Sequence, residues 1–161
     1  MTNRVLLSVE EGMEEPAWME KAESFLYSVL ETAGFNGEEF SVMFCTDETI
    51  RDLNKNYRNI DEPTDVLSFE NGETYTDEDN NTWKEAGDIA ISLETLKKNA
   101  EYFDVGEDEE LKRLLVHGVL HLNGYDHGEE HVSKGVEPVC EMLKLQKDIL
   151  EKLKEIHILE N

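Results

Sequence analysis

Basic residues are scarce in this chain: 15 Lys and Arg stand against 38 Asp and Glu over 161 residues, a formal net charge of −23. So acidic a composition excludes a general positive field as the means of holding a polyanion. The bases are unevenly placed. Only Arg4 and Lys21 fall in the first fifty residues, whereas nine lie between Arg51 and Lys134. Any groove for a polyanion must therefore be local. Cysteine is scarcer still: Cys45 and Cys140 lie far apart and form no CxxC. They read as reduced core residues of a cytoplasmic protein, not as a disulfide framework. Long apolar runs are missing too. None exceeds the four residues from Val42 to Cys45, against about 20 for a membrane span. Met1-Thr2-Asn3-Arg4 leads into only three apolar residues, so no secretory signal is expected. There is no repeat, low-complexity tract or linker, and the length fits one domain over residues 1–161.

What is present is a mixture of strand and helix patterns. Val5 to Val9, Phe40 to Cys45, Val66 to Phe69 and Gly87 to Ile91 read as strands. A helix opens at Glu14-Glu15-Pro16, carries Trp18, Ala22, Phe25, Leu26, Val29 and Leu30 at helical spacing, and stops at Gly34. Asp47 is the expected N-cap of a second helix, with Ile50, Leu53 and Tyr57 on one face. Residues 70–85 are polar and acidic, and read as a mobile surface excursion or a hairpin tip. Ser92 caps a third helix. A strongly periodic fourth helix ends near Leu122, with Gly124 as its C′ residue, and a last helix runs from about Val136 to Leu153. Two strands follow each other without an intervening helix. That favours an α+β fold, a mixed sheet with packed helices.

Four of the five histidines, His117, His121, His127 and His131, fall within fifteen residues. His117 and His121 are four apart on the fourth helix, so both imidazoles stand on one face, one turn apart. That face borders the core stripe of Leu111, Leu114, Leu115, Val119 and Leu122. Two such imidazoles can converge on one ion. Gly118 between them removes a side chain where the helix must approach something closely. Gly124 lets the chain reverse, so that His127 can swing back as a third ligand; His131 is the rival for that place. Three imidazoles and an open position make a catalytic Zn²⁺ site. Asp126 could orient an imidazole or simply form the turn, and Glu110 reads as an acid compensating the helix dipole. His157, near the tail, reads as solvated. Metalloproteases with HExxH place their general base directly after the first histidine. Here that position is Gly118, so amide hydrolysis by that route lacks its base.

The run His117-Gly118-Val119-Leu120-His121-Leu122-Asn123-Gly124-Tyr125-Asp126-His127 resembles the YbeY family of rRNA maturation endoribonucleases at every fixed position of its HGxLHLxGYDH hallmark. Two further blocks agree in order: Leu53-Asn54, Tyr57-Arg58 and Pro63 to Phe69, then Gly87-Asp88-Ile89 with Ile91-Ser92. The departures are Glu70, where the family usually has Pro, and the acidic stretch after it. The resemblance implies a zincin-like α+β fold and a zinc-dependent, single-strand-preferring endoribonuclease. Its substrate would be an rRNA precursor and its partner the ribosome or a ribosomal subunit. It carries His117, His121 and His127 over as ligands of one Zn²⁺ and Arg58 as the functional arginine. Independently, an arginine beside Tyr57 suits bidentate contact with a phosphate; a surface ion pair with Asp61 or Glu62 is the competing reading. Tyr57 could stack a base or pack in the core. The alternatives are a metal-dependent hydrolase of amide or ester bonds, and a ribosome-associated binding factor whose zinc is structural.

Overall fold

The computed structural model describes residues 3–125 and 140–159. Among them are four strands and five helices: β1 (Arg4–Val9), α1 (Met19–Ala33), β2 (Glu38–Cys45), α2 (Asp47–Arg58), β3 (Val66–Thr76), β4 (Thr82–Ser92), α3 (Leu93–Tyr102), α4 (Glu107–Leu122) and α5 (Glu141–Lys152). The sheet order is β1-β2-β4-β3. β1 and β2 are parallel, as are β2 and β4, while β3 runs antiparallel along β4 as an edge strand. The fold is α+β with a mixed sheet.

Period-two alternation divides the sheet into two faces. Phe40, Val42, Phe44, Ile89 and Ile91 join the main core with α1, α4 and α5. Cys45, Leu67 and Ala90 form a smaller cluster with Ile50 of α2, against which Met43, Leu53 and Phe69 pack. So α2 lies on the face opposite α4.

Several expected boundaries move for identifiable reasons. α1 begins at Met19, after a turn in which the Met19 amide donates to the Pro16 carbonyl at 3.3 Å. The N-cap of α2 is Thr46, whose side chain accepts from the Thr49 amide, and not Asp47. The Asp47 carboxylate instead accepts from Ser92 Oγ at 2.6 Å, from Thr95 Oγ1, and from Lys98 Nζ at 2.7 Å, tying α2 to the start of α3. Ser92 caps α3 as expected. Residues 70–85 form the outer half of the β3–β4 hairpin. Its turn is built on Asp77, which accepts from the Asp79 and Asn81 amides and from Trp83 Nε1.

Two acids of α4 are not the solvated groups their sequence positions suggest. Glu110 is buried and accepts twice from Arg113, at 2.6 and 2.9 Å. Arg113 also reaches Asp65, just before β3. Asp108 is buried and holds the tail: the Ile158 and Leu159 amides donate to it, and His157 Nδ1 lies 3.0 Å away. His157 is exposed, but it is engaged in this contact.

Two glycines set how closely the layers approach. A Cβ on Gly118 would lie 2.9 Å from Ile89 Cδ1 and 3.1 Å from its Cγ2, so α4 rests directly on β4 there. Gly87 has φ +142° at the register shifts of β4, and a Cβ on it would fall 2.1 Å from the Phe69 carbonyl oxygen and 2.9 Å from Leu122 Cδ2. Gly87→Ala therefore meets both backbone strain and an immovable carbonyl. It should destabilise the fold by about 3 kcal/mol, or roughly 10 °C in Tm. A melt shifted by less than about 2 °C would contradict this close approach.

Candidate metal centre

α4 carries the site. Its apolar residues are buried, whereas His117 and His121 are half-buried on the rim of the core. Their rings lie 4.6 Å apart at 68°, and the two Nε2 atoms close to 3.1 Å. Two imidazoles bound to one tetrahedral ion at 2.0–2.1 Å would bring their nitrogens to about 3.3 Å of each other. The pair thus has nearly the spacing of two ligands of a common ion.

Gln146 of α5 fixes one of these rings. His117 Nδ1 donates to Gln146 Oε1 at 2.8 Å. An amide oxygen can only accept, so His117 carries its proton on Nδ1 and presents a lone pair at Nε2. Gln146 is 2% exposed, and so the contact is shielded from water. The sequence reading missed this residue. The available signal was a polar side chain on the buried stripe of the last helix, beside Met142, Leu143 and Ile149.

The helix ends as its sequence requires. Gly124 has φ +84°, its amide donates to the His121 carbonyl at 3.1 Å, and the Tyr125 amide donates to the Leu120 carbonyl at 3.1 Å. This pairing turns the chain immediately after the second histidine. His127, its rival His131 and Asp126 lie outside the described residues. Among the described residues no cluster of three His, Cys, Asp or Glu side chains converges to hold an ion. Cys45 is buried, and burial, followed by the nearby Glu10 and Asp47 carboxylates, pushes its thiol up to about 12. It is a core thiol rather than a thiolate ligand. The donors on this helix rim are imidazole nitrogens, which suit zinc, copper, iron or nickel.

Arg58 is the last residue of α2 and is exposed. Asp61, its expected surface partner, is taken by Arg51 at 2.8 Å. Among the described residues no hydrogen bond or ion pair engages the Arg58 guanidinium. Other bases of the central segment are engaged in ion pairs within the chain: Lys98 on Asp47, Lys112 on Asp108, Arg113 on Glu110 and Asp65. Lys84 donates to Asn123 Oδ1 at 3.2 Å, and Asn123 donates to Glu38. Uneven placement along the chain thus does not translate into a broad positive rim.

The sequence of residues 7–154 matches the family described as Endoribonuclease YbeY. The chain belongs to that family. A protein of Treponema denticola named Endoribonuclease YbeY is 49% identical over 138 residues, spanning 86% of this chain and 85% of its own length. The protein of that name from Treponema pallidum is 45% identical, over 92% of this chain and 88% of its own. That of Aquifex aeolicus is 38% identical, over 94% and 92%. The solution structure of TM1509 from Thermotoga maritima has a similar fold, with a TM-score of 0.60 and 27% identity over 94% of this chain and 90% of its own.

If Gln146 sets the tautomer and aim of His117, Gln146→Leu should keep the helix packed yet weaken affinity for an added divalent metal about 10- to 100-fold. Competition against a chromophoric chelator measures this. An unchanged affinity would show that the ring is held by other contacts.

Proposed function

We propose that this chain is a zinc-dependent endoribonuclease that prefers single-stranded RNA and acts in the cytoplasm on rRNA precursors during ribosome biogenesis. Membership of a family named for endoribonuclease activity supports the reaction class. The observation that carries the metal is the 3.1 Å convergence of His117 and His121 Nε2. His127 completes the proposed ligand set, leaving one position for water or substrate. When bound, the ion supplies Lewis-acid charge and lowers the pKa of a water to near 7.

The chain's own residues then have separate tasks. Gln146 holds His117 in the tautomer that ligates. Gly118 sits flat on Ile89 and offers no carboxylate; the general base of a zincin peptidase has no counterpart there, which favours phosphodiester over amide hydrolysis. Arg58 is a charged fork without a partner among the described residues, and it is suited to bind the scissile phosphate and to oppose charge that builds on it. Among the described residues no helix is long and apolar enough to cross a membrane.

Metal content and cleavage of a single-stranded RNA should be followed together through chelation and zinc repletion. The expected result is one Zn²⁺ per chain, loss of cleavage on removal, retention of the folded circular-dichroism spectrum, and recovery on repletion. Unfolding on removal would instead assign the metal a structural role. Arg58→Ala should lower kcat by about 10²–10³-fold with zinc content intact, and Arg58→Lys should restore little. Equal kcat and KM in Arg58→Ala would make that arginine a bystander.

A further inference from the structure

We propose that Tyr57 is a stacking platform for an unpaired base of the RNA, at the end of α2 beside edge strand β3. This rests on the endoribonuclease reading above. Helical periodicity put Tyr57 on one face with Ile50 and Leu53 and left base stacking and core packing both open. The structure decides against core packing: Ile50 is buried, Leu53 is half-buried, and Tyr57 is 69% exposed. The helix runs beyond the small cluster that α2 covers, so its last aromatic projects past the packed surface.

The ring is exposed but held. It meets the Phe69 ring in a T-shaped contact, with centroids 5.3 Å apart at 64°. This T-shaped contact limits the ring's motion and leaves a large part of it open to solvent. Ile60, 47% exposed, adds apolar surface close by in sequence. Arg58 is adjacent in the chain and exposed, and the acid nearest it in sequence beyond the helix, Asp61, is already paired with Arg51. An open aromatic face beside an unengaged guanidinium is the pairing that single-stranded nucleic acid fits: base on ring, phosphate on cation. A duplex, whose bases are stacked on each other, cannot use it.

The position relative to the histidines follows from a chain of contacts. Tyr57 touches the ring of Phe69, and the Phe69 carbonyl lies against Gly87. Leu122 of α4 also comes up against Gly87, and Leu122 directly follows His121. One edge strand therefore separates the platform from the metal-bearing helix. An RNA strand crossing that edge would meet both.

Binding of a fluorescein-labelled single-stranded RNA, and its steady-state cleavage, would be measured for wild type, Tyr57→Ala and Tyr57→Phe. Stacking of one base predicts a rise in Kd and KM of about 5- to 150-fold for Tyr57→Ala, little change for Tyr57→Phe, and kcat near wild type at saturating RNA. An abasic nucleotide walked along the RNA should weaken wild-type binding at one position and add no further loss there in Tyr57→Ala. Wild-type Kd and KM in Tyr57→Ala, or an abasic penalty equal in both proteins, would overturn the platform and leave the surface to a protein partner. Failure of the wild type to bind or cleave any RNA would overturn the endoribonuclease reading itself, and the platform with it.

Discussion

The close approach of α4 to the sheet is the constraint on which the rest depends. At Gly118 the helix rests on Ile89, and at Gly87 the sheet receives Leu122. Neither contact admits even a methyl group without displacement. Two glycines, one in each layer, thereby fix the height of the helix above β4. With the height fixed, the rim of α4 is fixed too, and His117 and His121 stand where their Nε2 atoms meet. Side chains at i and i+4 give proximity; the packing under Gly118 gives the pair a rigid base.

Two other contacts keep this arrangement from sliding. Arg113 bridges Glu110 on its own helix to Asp65 at the start of the edge strand. Asp108 gathers the amides of Ile158 and Leu159 and so locks the tail against the start of the same helix. Glu110 and Asp108 are buried, and each is satisfied by charged or amide donors, as burial of a carboxylate requires. Lys112 and Arg113, two of the scarce bases of this acidic chain, are thus used as internal fasteners. Arg58, at the end of α2, has no partner among the described residues.

Much of this was legible in the sequence where a single residue type forces a local result. Gly34 and Gly124 end their helices in the left-handed region, and Ser92 caps α3. The alternation in Val5 to Val9 and Phe40 to Cys45 gave strands, and the spacing of His117 and His121 gave their convergence. The rest depended on partners remote in sequence. Thr46 and Asp47 are both competent caps, and only the position of Ser92, Thr95 and Lys98 decides that Asp47 faces α3. Gln146 meets a histidine twenty-nine residues earlier, on another helix. Tyr57 follows the periodicity of a core residue but lies beyond the end of the core. Periodicity reports which face a side chain occupies, not how far the neighbouring layer extends.

The central claim is that this helix rim holds a catalytic, not a structural, zinc, and X-ray absorption at the zinc edge of the metal-loaded chain tests it directly. The account predicts three imidazole nitrogens at about 2.0–2.1 Å, a light oxygen donor in the fourth position, and no sulfur. A first shell containing a sulfur near 2.3 Å, or four protein ligands with no exchangeable oxygen, would contradict it.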